Sequence, residues 1–320
     1  CAGVASVMLA WRLYLATGDV RYPDLIERTL FNVVATSPSE DGRSFFYANP
    51  LQLREPGASA SDGVNNRAEG GMRAPWFDVS CCPTNVARTV ASLGAYVASA
   101  DEEGVSVLQY AAGEIRVGGF VLQVETRYPD ESTVRIRVVA APESESRLRL
   151  RIPGWADDAT LSLNGEDATR VAAGWADIRR SFEPDDELVL ELPLAPRLTW
   201  PDSRIDAVRG TVAVERGPLV LCLESVDLPS GTHIEDVQLD PGSTLSAHAD
   251  GARVHGIVAA TTDAGVLPFG TTKPVASDPR PLELTLVPYH RWAERGPATM
   301  RIFIPVQADK ARGPHLPATT

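Results

Sequence analysis

A change of hydrophobic period near Val105 constrains the fold of this chain more than any other feature. From there on, apolar and polar residues alternate in short runs: "VSVLQY", "EIRVGG", "FVLQVETRYP", "STVRIRVVAAP", "SRLRLRIPGW", "ATLSLNGE", "GWADIRRSF" and "ELVLELPL". Each run is bounded by Gly, Pro, Asn or Asp. A period of two buries one face of a strand, and turn signals at this spacing predict an antiparallel β-sandwich. "NGE" at 164–166 is a hairpin signal, because Asn-Gly accepts the positive φ that a tight turn needs. A second set follows: "TVAVERGPLVLCLE", "DVQLD", "RVHGIVAA", "LELTLVPYH" and "TMRIFIPVQ". "LTWPDSR" at 198–204 reads as the seam. The chain thus divides into β-sandwich domains at 101–200 and 201–306. A tail at 307–320 carries "KARGPHLPATT" and has the composition of a disordered end.

Ahead of the switch the period is helical. Val4, Met8, Trp11 and Leu15 fall on one helix face, and Gly18 supplies a stop. Pro23 and Asp24 start a second helix that carries Leu25, Ile26, Leu30, Val33 and Val34 toward a core. "DGRSFFYANPL" is a turn and a short extended piece, followed by a polar, Gly-rich loop from about 55 to 74. A loop of that size inside a domain is usually functional or disordered. Pro83 is expected at the first position of a third helix, where its missing N–H costs nothing, with Val86, Val90, Leu93 and Val97 on one face. "DEEG" at 101–104 reads as a solvated linker. Residues 1–100 therefore form a helical domain, and the whole is an α+β multidomain chain.

Charge and cysteine usage exclude several functions. The net charge is −12, from 30 basic and 42 acidic residues, and there is no run of Lys or Arg. Nucleic-acid binders need a basic face, so no nucleic-acid partner is expected. No apolar stretch approaches the roughly 20 residues that cross a bilayer, so no membrane partner is expected either. The start lacks an initiator Met and an export signal, and the chain reads as a fragment or a processed piece. Four cysteines in 320 residues are no disulfide scaffold. Free thiols suit a reducing compartment, and a cytoplasmic location is expected.

Two of the four, Cys81 and Cys82, are adjacent at the mouth of the third helix. With Pro83 opening that helix, Cys82 falls near the cap and Cys81 just outside it. The positive end of a helix favours a thiolate, the form that ligates zinc and attacks carbon. Two thiols are not a four-ligand zinc site, however, and two small buried hydrophobes would look the same. The residues leave both readings open. Cys222 lies in the strand pattern "PLVLCLE" and reads as core. His233, His248, His255, His290 and His315 lack the helical spacing of a metal site. Trp155, Trp175 and Trp200 sit at strand edges, where sandwich core is a better reading than a sugar platform.

Five segments together resemble glycoside hydrolase family 127, best known for β-L-arabinofuranosidases. They are "FFYANPL" (45–51), "WFDVSCCPTNVARTVASLGAYVAS" (76–99), "LRIPGWA" (150–156), "VERGPLVLCLE" (214–224) and "LVPYHRWAERG" (286–296). The similarity runs from Cys1 to about residue 306, and CCP-x-N-x-AR is its most specific motif. It implies the last helices of an (α/α)6 barrel followed by two antiparallel β-sandwich domains. It also implies one Zn2+ held by three cysteines and a glutamate. Cys1, Cys81 and Cys82 map to the metal-binding cysteines, Cys81 being also the nucleophile, and Glu27 and Tyr47 to positions that contact the sugar. The implied activity is retaining exo-glycoside hydrolysis that releases terminal β-L-arabinofuranose. The partner is then an arabinose-containing glycan, and a homo-oligomer is left open. The glutamate ligand and the acid/base glutamate would precede Cys1, so this chain alone is expected to be inactive. Two alternatives stand beside this: hydrolysis of another terminal sugar, and a non-catalytic carbohydrate-binding protein with structural zinc.

Overall fold

The computed structural model describes residues 1–58, 71–260 and 277–306. Much of the expected 55–74 loop and all of the expected tail lie outside these residues. The chain forms two compact units: Cys1–Ala35 with Ser80–Leu194, and Thr36–Val79 with Ala195–Thr320. Compactness therefore does not follow the blocks 1–100, 101–200 and 201–306. Residues 36–79, read from sequence as part of the helical block, pack with the C-terminal strands.

In that second unit, ten strands among the described residues join one hydrogen-bonded network. This differs from the two separate sheets of a sandwich, and partner-switching explains it. The strand Leu219–Glu224 pairs with Arg280–Pro288 through Leu221 and Cys222, then with Met300–Arg301 through Leu223 and Glu224. Strands that change partner part-way along turn a corner without breaking the sheet. The expected single strand "TMRIFIPVQ" is accordingly two short pieces, Met300–Arg301 and Ile304–Pro305. Arg73 ties the 36–79 segment to this core. It donates to the carbonyls of Thr36, His290 and Trp292 and pairs with Glu294 at 2.7 Å. Its guanidinium lies over the Phe46 ring, which stacks on Trp292 at 4.7 Å.

The first unit contains three α-helices: α1 (Ala2–Thr17), α2 (Arg21–Thr29) and α3 (Cys81–Ser92). Gly18 ends α1 in the left-handed conformation, φ 69°, and its N–H caps Tyr14 O. The buried face of α1 is Val4, Val7, Ala10 and Tyr14, so the expected Val4/Met8/Trp11/Leu15 stripe is rotated and Leu15 is exposed. Nearly every position of α1 is apolar, so periodicity does not select a face and the packing partners do. A π-turn, Leu30–Val34, extends α2 and shifts its face, burying Ile26 and Val34 while leaving Leu25 and Val33 exposed. On α3 the buried residues are Cys82 and Thr89, and the expected Val90 and Leu93 are exposed.

The expected first sandwich is present. A six-stranded antiparallel sheet and a four-stranded sheet enclose a core that includes Phe120, Leu122, Ile136, Leu148 and Leu190. Thr133–Ala140 alternates buried and exposed residues as its sequence alternates apolar and polar. Asn164 and Gly165 adopt φ 51° and 76°, and Glu166 N–H closes the turn onto Leu163 O. One pairing departs from the antiparallel expectation: Gly104–Val107 runs parallel to Ser146–Ile152. Parallel pairs are favoured where both sheet faces are covered. "DEEG" is accordingly no linker. It turns the chain from Ala98–Asp101 into Gly104–Val107, and Asp101 and Glu103 both pair with Arg147.

That coverage explains the arginines of Ser146–Ile152, which alternation places on an exposed face. Arg147 takes Asp101 and Glu103; Arg149 donates to Ser106 Oγ and lies over the Trp175 ring at 4.2 Å. Arg151 is fully buried. Its Nη2 donates to Glu27 Oε1 at 2.5 Å, Nη1 to Asp24 Oδ1 at 2.6 Å and Nε to Leu108 O at 2.5 Å. Glu27 also accepts from Tyr128 and from the Trp155 indole. Burial opposes the charge of Arg151, but the Glu27 and Asp24 carboxylates outweigh it and hold the pKa above the usual arginine range. Burial pushes the Tyr128 and Tyr110 phenols well above theirs, so both stay neutral donors. Removing one partner of a buried ion pair typically costs about 3–5 kcal/mol. Arg151→Met should therefore lower the urea midpoint of the first unit by that equivalent, and Glu27→Leu added to it should recover most of the loss. An unchanged midpoint in Arg151→Met would show that the ion pair contributes no stability.

Candidate functional site

The site is built on the first turn of α3. Ser80 is the N-cap, with φ −55° and ψ −22°, and Cys81, Cys82 and Pro83 are the first three helical residues. Pro83 is thus third, not first as expected. The first N–H groups of a helix have no intrahelical acceptor, so proline fits anywhere in that turn. The shift moves both thiols inside the helix, where the unpaired N–H groups and the positive dipole end surround them. Cys82 is buried and Cys81 half-buried.

The two adjacent sulfurs stand 3.8 Å apart and form no disulfide. A tetrahedral zinc with Zn–S bonds of about 2.3 Å sets neighbouring sulfurs about 3.8 Å apart. The spacing therefore fits one edge of a zinc tetrahedron, and soft thiolates are the ligands zinc prefers. Cys1, at the start of α1, reaches the same helix end. Its thiol is 3.7 Å from the Cys81 carbonyl oxygen and accepts a hydrogen bond from Asn85 Nδ2 at 2.8 Å. Cys81 and Cys82 thus have the spacing of two zinc ligands, and Cys1 reaches the backbone carbonyl of Cys81. Among the described residues no group of three or more His, Cys, Asp or Glu is gathered closely enough to hold a metal.

The remaining expected residues have the following surroundings. Glu27 is 2% exposed, with both carboxylate oxygens taken by Arg151, Tyr128 and Trp155. Tyr47 belongs to the second unit, where it is 43% exposed and follows buried Phe46. Cys222 is fully buried, and burial pushes its thiol well above the usual range, consistent with a core role. His233, His248 and His255 are exposed and His290 is half-buried, while His315 lies outside the described residues. Trp155 packs against the sandwich core as expected, with its N–H on Glu27.

Two residues escaped the sequence reading. Asn85 lies one turn after Cys81, and the signal for it was the CCP-x-N spacing itself. Arg151 gave no usable signal, because alternation predicts an exposed residue there. No helix among the described residues is long and apolar enough to cross a membrane.

Comparison with known proteins gives a consistent result along the chain. Residues 1–95 match the β-L-arabinofuranosidase, GH127 catalytic domain. Residues 104–194 match the GH127 middle domain, and 196–305 match the glycoside hydrolase family 127 C-terminal domain. A non-reducing end β-L-arabinofuranosidase of Bifidobacterium longum subsp. longum is 30% identical over 95% of this chain. A solved GH127 β-L-arabinofuranosidase from Geobacillus stearothermophilus T6 superposes with a TM-score of 0.79 at 28% identity, over 95% of this chain and 49% of that one. A solved GH127 β-arabinofuranosidase gives 0.77 at 29% identity, over 98% and 50%. The chain spans about half the length of these relatives, 48% for the Bifidobacterium enzyme. With three successive domains matched in order, the chain belongs to glycoside hydrolase family 127.

Proposed function

We propose that the full-length protein is a retaining exo-glycoside hydrolase that releases terminal β-L-arabinofuranose from arabinose-containing glycans, with Cys81 as its nucleophile. The observation that carries this reading is the pair of sulfurs 3.8 Å apart in the first turn of α3, with Cys1 near the Cys81 carbonyl of the same turn. The helices of this chain are then the last of an (α/α)6 barrel. Four free cysteines suit a reducing compartment, the cytoplasm.

In this mechanism Cys1, Cys81 and Cys82 would hold zinc together with a glutamate expected before Cys1. Bound zinc keeps cysteine sulfur as thiolate at neutral pH. Cys81 Sγ attacks the anomeric carbon as the glycosidic C–O bond breaks, and a carboxylic acid upstream of Cys1 protonates the leaving oxygen. The resulting thioglycosyl bond is cleaved by water, whose proton passes to the same carboxylate. Two inversions give net retention, as with the carboxylate nucleophiles of most retaining glycosidases. Tyr47 contacts the sugar in this reading. Glu27 acts through the fold, as the anchor of Arg151.

Two variants of the full-length protein and the 320-residue chain by itself test this reading, turnover being assayed with an aryl β-L-arabinofuranoside. Cys81→Ser should lower kcat by roughly 10³-fold or more, the scale of losing a nucleophile, while sugar binding persists. Loss of zinc or of fold without selective loss of turnover would favour the structural-zinc reading. A panel of aryl glycosides decides between arabinofuranose and another terminal sugar. Cys82→Ser should reduce bound zinc below one per chain, read by metal analysis after dialysis; full zinc occupancy would remove Cys82 from the ligand set. The 320-residue chain expressed alone should show no turnover with zinc under reducing conditions, and turnover by it would place the acid within these residues.

A further inference from the structure

We propose that the exposed sides of α1 and α3 are the docking surface for the upstream half of the same polypeptide, which brings carboxylates to Arg12 and Arg88; this rests on the family match and on no step of the zinc chemistry. α1 is apolar nearly all round, and its one charged residue is Arg12. A helix of that composition is ordinarily buried on every side. Here one side is covered, the one carrying Val4, Val7, Ala10 and Tyr14. The other carries Ala2, Ala5, Leu9, Arg12 and Ala16, a helical stripe open to solvent, with Leu9 59% exposed. α3 repeats the pattern. Its one charged residue is Arg88, its buried positions are Cys82 and Thr89, and Ala87, Val90 and Ala91 are exposed. The two helices touch. Adjoining helices that expose leucine, valine and alanine, with a single arginine each, mark an interaction site rather than a solvated face.

Length and charge identify the occupant. This chain covers 48% of the Bifidobacterium enzyme, which therefore has about as much chain again. Residues 196–305 match the C-terminal domain, so the unmatched half precedes residue 1, and α1 begins at Ala2. An upstream segment is thus tethered at the edge of the surface it covers, with the high effective concentration of an intramolecular partner. Charge disfavours a second copy. An isologous dimer sets the same patch against itself, arginine facing arginine. The whole chain carries −12, yet arginine is the only charged residue type on these two helices. Arg12 donates to Met8 O and Arg88 to Asn85 Oδ1, and neither forms an ion pair among the described residues. A guanidinium has five donors in a planar fork that fits a carboxylate, so each keeps donors for one on the covering segment.

The test is Leu9→Cys and, separately, Val90→Cys in the full-length protein, treated with N-ethylmaleimide and read by mass spectrometry of the peptide that carries the new thiol. These positions should react roughly 100-fold or more slowly in native protein than in urea, because a covered site reacts only through local opening. Labelling of the folded protein at close to the unfolded rate would overturn the proposal. Protection should persist at concentrations where sedimentation shows a monomer. Protection confined to a dimer would assign the surface to a second copy and overturn the proposal as well. Arg12→Glu and Arg88→Glu should each lower the urea midpoint more than the matching glutamine variants; equal effects would remove the carboxylate partners. Ala5→Cys and Ala91→Cys carry the same labelling measurement where a larger residue's replacement does not fold.

Discussion

Arg151 carries its charge with no exposure to solvent, and the first unit is arranged around that constraint. Removing a guanidinium from water is costly unless opposite charge and hydrogen-bond acceptors replace the lost hydration. Here they come from α2, which supplies Asp24 and Glu27, and from the neighbouring strand end, which supplies Leu108 O. Because two carboxylates one turn apart must meet one fork, α2 can sit on the sheet in only one register. Tyr128 and Trp155 saturate Glu27, and Gly154 N–H takes the second oxygen of Asp24. A network in which each polar group is satisfied specifies one arrangement more sharply than an apolar contact of the same area.

The cysteine arrangement depends on a different junction. Covalent adjacency puts Cys81 beside Cys82, but only helical geometry inside the first turn sets their sulfurs 3.8 Å apart. The approach of Cys1 is non-local and relies on α1 and α3 meeting at their N-terminal ends, with Asn85 between them. Helix starts suit this chemistry because their N–H groups are unpaired and their dipoles favour negative charge. The fold thus places two thiols in the first turn of a helix, and keeps its fourth cysteine, Cys222, inside an apolar core.

Much of the fold was legible from residues 105–192. Alternation located the strands, Asn164-Gly165 its turn, and Gly18 the end of α1, because each depends on local backbone preference. The helical faces were less legible. α1 is apolar on nearly every side, and α2 changes face through the π-turn at Leu30–Val34, so a regular period could not report which residues would be buried. The parallel pairing of Gly104–Val107 with Ser146–Ile152, and the partner-switching of Leu219–Glu224, join segments far apart in sequence and leave no local trace.

The candidate site divides the same way. By itself the sequence determined that two cysteines open a helix, that a third begins the chain, and that the motifs around them occur together in one hydrolase family. These follow from residue identity and spacing. Only the tertiary structure decided that Pro83 is third in the helix rather than first, that Asn85 links Cys1 to Cys81, and that Glu27 is taken up by Arg151 inside the unit. A carboxylate in a sequence can face a ligand or a buried cation with equal ease. Which it faces is settled by the desolvation cost of the cation, and that cost exists only once the strand and helix have packed together.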